Sequence, residues 1–183
     1  LNELFSSNPE KWKIANLRYF NPIGAHSSGL IGENPKGDPN NIFPIILEVA
    51  SKKRTNLNIY GSDWPTNDGT GIRDYVHVVD LAEGHLRALQ YLEKESCKII
   101  NLNIGTGKGT SVLELIRAFE KINKVIIPYT FVNRRDGDAP YVVADNSASL
   151  KLLDWEPEQT IEEMCKDGWL WKCKNPEGYK KIN

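Results

Sequence analysis

The stretch "IINLNIGTGKGTSVLELIRAFEKI", residues 99–122, decides the fold class of this chain. Its apolar beginning predicts a buried strand, and a turn with three glycines follows, at Gly105, Gly107 and Gly109. Ser111 and Glu114 then form the pattern of a capping box, which begins a helix with apolar residues on one face. A strand, a tight turn and an amphipathic helix in this order are the building unit of α/β folds.

The glycine-rich turn suggests a phosphate-binding loop, but its spacing argues against one. A dinucleotide-binding fingerprint needs G-x-G-x-x-G and an acidic residue about twenty positions later. This turn reads G-x-G-x-G, residues 125–131 contain no acid, and the Walker A pattern is not met either. We favour a structural interpretation, in which the glycines let the turn pass close to another segment. An anion bound at the amides of the turn is the alternative.

Strands and helices alternate along the chain. The predicted strands cover 14–20, 57–61, 72–80, 98–105 and 126–132, and the predicted helices cover 40–54, 80–94, 111–122, 146–155 and 160–173. The predicted fold class is therefore α/β. The polar, helix-like start "LNELFSSNPEKWK" lacks methionine at its first position, so we expect a truncated start.

The composition excludes several classes of partner. With 23 Lys+Arg against 24 Asp+Glu, a net charge of -1 and no basic cluster beyond residues 52–54, the sequence does not predict nucleic-acid binding. No apolar window is long enough for a membrane span and no signal peptide is recognisable, so we expect a cytoplasmic protein without membrane contact. Neither the three cysteines (Cys97, Cys165 and Cys173) nor the three histidines (His26, His77 and His85) have metal-ligand spacing, so we expect reduced, partly buried thiols and no metal.

Four segments carry residues suited to ligand binding. Asn21 follows a predicted strand, where α/β sheets bind ligands, although a turn-forming asparagine before proline explains it equally simply. Arg73 enters a strand from a loop and suits a diphosphate, unless it merely pairs with Asp74 or another surface acid. Tyr60 could lie beside a base or simply be half buried in its strand.

The fourth segment is the loop "NRRDGDAPY", residues 133–141. Arg134 and Arg135 offer cations for phosphate, and Asp138 offers a carboxylate that could accept hydrogen bonds from a ribose diol. A simple charged turn around Gly137 is the alternative.

Taken in order, the segments "LRYFNPIGAH", "GDPNNIFP", "LNIYG", "GTGIRDYVHVVDLAEGH", "INLNIGTGKGTSV" and "RRDGD" resemble the UDP-glucose 4-epimerase (UDP-galactose 4-epimerase) family of extended short-chain dehydrogenases/reductases. The likeness runs from about residue 14 to the "WLWKCKNPEGY" end. It implies that residues 1–183 are the C-terminal, substrate-binding portion of such an enzyme. That portion would contain a small α/β substrate-binding domain and the end of a Rossmann sheet, at about residues 14–24 and 74–109, without the N-terminal cofactor-binding half.

The resemblance implies the interconversion of UDP-glucose and UDP-galactose by transient hydride transfer from hexose C4 to bound NAD, in a homodimer when full length. Tyr19, Phe20 and Asn21 would face the sugar and the nicotinamide, with Tyr19 as the cofactor contact. Asn40, Asn41 and Ile42 would begin the helix over the diphosphate, and Asn58, Ile59 and Tyr60 would border the uracil. Arg73 and Arg135 would hold phosphate, and Asp138 would bind the ribose from a loop that includes Asp136 and Gly137.

Two positions depart from the family pattern. Asp136 stands where the family usually has Glu, and we expect little effect. Val142 occupies the position that limits sugar size, where Tyr restricts the family to the plain hexose and a small residue admits N-acetylated sugars. We therefore hypothesise some tolerance for UDP-N-acetylhexosamines.

The resemblance does not supply a catalytic base. The family uses a Tyr-x-x-x-Lys pair that lies before "LRYFNP", and no tyrosine of this chain has lysine four positions later. We expect the chain alone to carry out no epimerisation and to hold no NAD. The alternatives are a non-catalytic module that binds UDP-sugars, and another extended short-chain enzyme acting on a nucleotide sugar, which the pairing of "GDPNN" with "RRDGD" disfavours.

Overall fold

The computed structural model describes residues 2–95 and 98–179, which contain the following elements. The helices are α1 Asn2–Ser7, α2 Ile42–Ala50, α3 Val78–Lys94, α4 Val112–Asn123, α5 Ser147–Leu153 and α6 Ile161–Lys174. The strands are β1 Lys13–Tyr19, β2 Asn21–Ile23, β3 Leu57–Tyr60, β4 Ile72–Arg73, β5 Tyr75–His77, β6 Lys98–Ile104, β7 Thr110–Ser111, β8 Tyr129–Val132 and β9 Tyr141–Val142.

Most strands pair in parallel, as expected when helices connect neighbouring strands. β1 pairs with β6, β2 with β5, and β3 with β8, all in parallel. β4 lies between antiparallel β7 and parallel β9. Parallel strands present their carboxyl ends on the same side, so β3 and β8 deliver the loops that follow them to one edge of their sheet.

Two apolar cores hold these strands. The larger core joins α2, α4 and α6 to β3, with the buried rings of Phe43 and Phe119 packed edge to face, 6.3 Å between centroids. The smaller core lies between α3, α5 and β6, and includes Ala88, Leu102 and Trp155. The larger core underlies the pocket described below, because β3 and α2 contribute residues to both.

The prediction of one strand over 72–80 is wrong. The structure divides this segment between β4 and β5, which belong to different sheets, and α3 begins at Val78 rather than at Asp80. The physical reason is His77, whose imidazole Nδ1 accepts a hydrogen bond from the Val79 amide at 3.0 Å and caps α3. Histidine is not a preferred N-cap residue, so the sequence pattern pointed to the later Asp80.

The other element boundaries follow the predictions with local differences. The capping boxes of α4 and α6, formed by Ser111 with Glu114 and by Thr160 with Glu163, are confirmed. The predicted helix over 40–54 ends at Ala50, because Lys52 adopts a positive φ of 60°. Strands β2, β7 and β9 were not predicted, since runs of two or three residues leave no periodicity to detect.

Of the predicted thiols, Cys165 is buried and Cys173 is exposed, and both are free, whereas Cys97 lies outside the described residues. Burial raises the pKa of the Cys165 thiol to about 12, which keeps it protonated at neutral pH. Among the helices that the structure describes, none is long and apolar enough to cross a membrane.

Candidate functional site

The glycine-rich turn between β6 and β7 binds an anion that the chain itself supplies. The buried Asp74 carboxylate accepts hydrogen bonds from the amides of Thr106 at 2.8 Å and Gly107 at 2.9 Å. It also accepts from the Thr106 hydroxyl at 2.6 Å and from the Ala144 amide at 3.2 Å. These amides are therefore not available to a nucleotide phosphate.

The glycines are required by close packing around this carboxylate. A Cβ on Gly105 would lie 2.7 Å from Asp74 Oδ2 and 2.8 Å from the Ala144 Cβ. A Cβ on Gly109 would lie 2.6 Å from the Ile72 side chain, and Gly107 has a positive φ of 72°. The structural interpretation of the turn is confirmed, and the segment to which the turn packs is β4 with its neighbour Asp74.

A pocket lies on the other side of β4, where several predicted site residues meet. Its lining includes ten of them: Asn21, Asn40, Asn41, Ile42, Asn58, Ile59, Tyr60, Arg73, Arg135 and Asp138. They come from β2, from the start of α2, from β3, from β4 and from the loop after β8. Residues more than a hundred positions apart in the chain thus share one concave surface, as a small-molecule site requires.

The N-terminus of α2 opens into this pocket without a side-chain cap. Asn41 occupies the N-cap position in extended conformation, but its side chain makes no capping hydrogen bond. The first amides of the helix are therefore not satisfied by Asn41, and the helix dipole favours an anion beside them. Asn41 thus occupies the predicted N-cap position, but its side chain does not make the capping hydrogen bond.

Two arginines and one carboxylate form the charged wall of the pocket. Arg73 donates from Nη1 to the carbonyl oxygens of Ile72 and Ala139, both at 2.9 Å, which fixes its guanidinium. Asp138 lies between the two cations, 3.0 Å from Arg135 Nε and 3.9 Å from Arg73 Nη2. Arg73 does not pair with Asp74, because backbone amides and the Thr106 hydroxyl already surround that carboxylate. The wall keeps a net positive charge, which suits a diphosphate.

The aromatic ring of Tyr60 adjoins the charged wall. Tyr60 is 39% exposed, and the Arg135 guanidinium lies 4.5 Å from the centroid of its ring. A flat, partly exposed ring beside a cation can stack on a nucleobase. Tyr60 is therefore neither fully packed nor free in its strand.

Sequence reasoning missed six lining residues, of which two are aromatic: Trp64 and Tyr75, with Ile45, Leu57, Gly71 and Val112. Tyr75 is buried in β5, and its hydroxyl finds no hydrogen-bond partner among the described residues. Burial raises the pKa of this phenol further above its ordinary value, so it is a neutral hydroxyl that can donate. The available signal was its place two residues after Arg73 in the predicted strand over 72–80, since alternate residues of a strand share a face.

Five predicted residues lie away from the pocket lining. They are Tyr19, Phe20, Asp136, Gly137 and Val142. The Tyr19 hydroxyl lies 2.7 Å from His85 Nε2; because His85 Nδ1 lies 2.8 Å from the Leu81 carbonyl oxygen, Nε2 accepts and Tyr19 donates. Val142 is 39% exposed in β9, opposite Arg73 in the pairing register. Ligand contacts for these five remain predictions.

Comparison with known proteins gives the family. A family model described as "NAD dependent epimerase/dehydratase family" matches residues 5–105. UDP-glucose 4-epimerase 1 of Oryza sativa subsp. japonica is 52% identical over 181 residues, covering 97% of this chain and 50% of that protein. The chain thus spans about half the length of the curated relatives it matches.

Two solved structures match the fold closely. The UDP-glucose 4-epimerase of Stenotrophomonas maltophila, with bound NAD and formylated UDP-arabinopyranose, has a TM-score of 0.91 and 46% identity, covering 96% of this chain and 52% of that one. The enzyme from Bifidobacterium longum, in complex with NAD+ and UDP, has a TM-score of 0.91 and 44% identity, covering 97% and 52%. The predicted α/β class, matching the C-terminal half of such enzymes, is confirmed. On these matches and on the shared fold, the chain belongs to the NAD dependent epimerase/dehydratase family.

Proposed function

We propose that this chain is the UDP-sugar-binding portion of an NAD-dependent UDP-glucose 4-epimerase and that UDP binds in the pocket beside β4. One observation carries the proposal: the pocket joins the uncapped N-terminus of α2, the cations Arg73 and Arg135, and the exposed ring of Tyr60. These groups match the diphosphate and the base of a nucleotide. In this reading the division into a Rossmann end, residues 14–24 and 74–109, and a substrate-binding part remains our inference.

Each group has a distinct task in the proposed complex. The α2 amides and the two guanidinium groups hold the diphosphate, because both place fixed positive charge at its oxygens. The ring of Tyr60 stacks on the uracil, and the Asp138 carboxylate accepts from the ribose hydroxyls. Firm binding of the non-reacting UDP would hold the nucleotide sugar while its hexose reacts.

Within the part of the chain that the structure describes, the glycine-rich turn is not a dinucleotide-binding loop. The amides of the turn are bonded to Asp74, and the predicted cofactor contact Tyr19 donates to His85. When bound to the whole enzyme, NAD would accept and return the hydride. We assign most of its binding to the N-terminal half of that enzyme, with Tyr19 as the contact predicted from this chain, and we derive no step through it.

Binding and turnover assays test the proposal directly. Isothermal titration of the purified chain with UDP is expected to give saturable one-to-one binding, whereas mixtures with UDP-galactose and NAD are expected to show no UDP-glucose. Absence of UDP binding would contradict the proposed site. Epimerisation by the chain alone would instead show that the base is not the Tyr-x-x-x-Lys pair.

A Tyr75→Phe variant is expected to bind UDP about fivefold to tenfold more weakly, with no loss of unfolding free energy. The buried hydroxyl has no protein partner to lose, so its removal costs the free protein nothing, whereas a hydrogen bond to a ligand oxygen would be lost. Titration calorimetry and urea unfolding measure the two quantities. Unchanged UDP affinity would place the hydroxyl outside the binding site.

Val142 carries the proposal that UDP-N-acetylhexosamines are also substrates. In the whole enzyme, Val142→Tyr is expected to lower turnover of UDP-N-acetylglucosamine at least about tenfold. The larger side chain would crowd the N-acetyl group, and overpacking of this kind costs about 1–3 kcal/mol. Turnover of UDP-glucose in the same assay is the control. Equal turnover of the N-acetylated sugar by both forms would contradict the hypothesis.

A second candidate is a non-catalytic module that binds UDP-sugars, since the pocket is built without a catalytic pair. The coding sequence upstream of Leu1 separates the two: an in-frame glycine-rich loop and Tyr-x-x-x-Lys pair support the enzyme. If the whole protein is the proposed epimerase, we expect it to form a homodimer, and its molecular mass in solution tests this expectation.

A further inference from the structure

Two consecutive arginines after β8 stack on two aromatic rings that follow each other closely in the chain. The Arg134 guanidinium lies 4.0 Å from the centroid of the Trp64 ring, and that of Arg135 lies 4.5 Å from the centroid of the Tyr60 ring. Only Arg135 lines the pocket. The arrangement therefore couples a residue outside the pocket to one inside it.

The contacts of Arg134 are more numerous than those of an ordinary surface ion pair. Its Nε donates to Asp63 Oδ1 at 2.8 Å, and its Nη2 donates to the Asp63 carbonyl oxygen at 2.6 Å and lies 2.8 Å from Oδ1 in an ion pair. With the stack on Trp64, one guanidinium is held by a carboxylate, a backbone carbonyl and a ring face. We call Asp63, Trp64 and Arg134 the latch, and residues 135–138 the arm.

The latch itself rests on a fixed base. The Trp64 indole N–H donates to the Tyr60 carbonyl oxygen at 3.0 Å, and the Trp64 amide donates to the Gly69 carbonyl oxygen at 3.0 Å. Further along this loop, Asp68 accepts hydrogen bonds from Thr70 and from the Ser111 hydroxyl that caps α4. The loop is thus tied to a helix of the larger core.

The latch also requires glycine at position 61, because a side chain there would collide with it. Gly61 has a positive φ of 86°, and a Cβ there would lie 2.4 Å from Trp64 Nε1 and 2.9 Å from the Arg134 side chain. Val132, the last residue of β8, accepts a hydrogen bond from the Gly61 amide at 2.8 Å. The loops that follow β3 and β8 therefore begin side by side, and the latch keeps them in contact.

We infer that Arg134 is a positioning residue: the latch orders the arm, so that Arg135 and Asp138 are held at the mouth of the pocket before a nucleotide diphosphate binds. The inference rests on the proposed function for the identity of the ligand. Pre-ordering increases affinity because the loop loses less conformational freedom on binding. Arg134 acts through Arg135 and Asp138 and makes no ligand contact of its own.

The experiment compares Arg134→Gln with Arg87→Gln in the 183-residue chain. Arg87 is a matched control, since its side chain is 42% exposed and pairs with one glutamate, against 41% exposure for Arg134. Arg134→Gln is expected to weaken UDP binding about fivefold to tenfold and uridine binding to a smaller extent, because uridine keeps the ribose contact of Asp138 but lacks the diphosphate that Arg135 holds. Arg87→Gln is expected to change neither.

A mutant cycle distinguishes positioning from general stabilisation. In a background with both Arg135→Gln and Asp138→Asn, Arg134→Gln is expected to weaken UDP binding by less than twofold further, because both groups that it positions are already changed. If the full fivefold loss persists in that background, Arg134 does not act through these two residues and the inference is overturned.

A measurement without ligand keeps the inference testable apart from the proposed function. NMR order parameters of the amides at 135–138 are expected to fall from about 0.85 to below about 0.6 in Arg134→Gln, and not in Arg87→Gln. Unchanged order parameters overturn the latch whether or not UDP binds. If the unsubstituted chain fails to bind UDP, the proposed function fails and the order parameters alone decide whether the latch orders the arm.

Discussion

A chain with alanine in place of Asp74 is expected to lose about 4 kcal/mol of its free energy of unfolding. The carboxylate is fully buried and accepts hydrogen bonds from three backbone amides and one hydroxyl. Its removal leaves these buried donors without partners, in a turn whose glycines pack against the missing side chain. Urea unfolding followed by circular dichroism measures the loss.

Asp145→Ala is the matched control for this experiment. Asp145 also accepts hydrogen bonds from an amide and a hydroxyl, both of Ser147, but it is exposed, so water replaces the lost contacts and less than about 1 kcal/mol is expected. Asp74→Asn keeps the shape of the side chain but turns an N–H toward donors. Its loss of unfolding free energy should therefore lie between those of Asp74→Ala and Asp145→Ala. A loss below about 1 kcal/mol for Asp74→Ala would contradict the account of the glycine-rich turn.

Replacing Arg73 with glutamine is expected to weaken UDP binding about thirtyfold, which corresponds to the loss of about 2 kcal/mol from a hydrogen bond to a charged group. Binding of uridine should change less than threefold, because Arg73 faces the proposed diphosphate position rather than the ring of Tyr60. Arg73→Lys should recover little, since an ammonium group cannot keep both carbonyl contacts and present a planar fork. Titration calorimetry with both ligands measures the difference.

Arg54→Gln controls for the loss of one positive charge. Arg54 is partly exposed, pairs with Glu48 at 3.1 Å, and does not line the pocket, so its replacement should leave UDP affinity unchanged. Equal losses for UDP and uridine in Arg73→Gln would show that Arg73 supports the pocket wall and does not contact phosphate.

Local patterns in the sequence were sufficient for the α/β class and for most element positions. The capping boxes at Ser111 and Thr160 act within four residues, so their effect is readable without the rest of the molecule. The spacing of the glycines excluded a cofactor loop for the same reason. Resemblance to a family added the pocket residues, because it carries information about long-range placement that periodicity lacks.

Contacts between distant segments were beyond such patterns. The sequence places Asp74 next to Arg73, which suggested an ion pair, whereas the folded chain brings Asp74 to the amides of Thr106 and Gly107. Likewise, the predicted strand over 72–80 divides at Asp74 because β4 and β5 belong to different sheets, and it ends early because His77 caps α3.

By itself the sequence determined the class of fold and the helix starts at α4 and α6, and it favoured a structural role for the glycine-rich turn. Only the tertiary structure showed that the turn binds the Asp74 carboxylate. It alone also showed that Tyr75 lines the pocket with an unpartnered hydroxyl and that Arg134 stacks on Trp64. The reason is physical: capping and turn preferences act over a few residues, whereas hydrogen-bond partners of buried groups are chosen by packing between segments far apart in the chain.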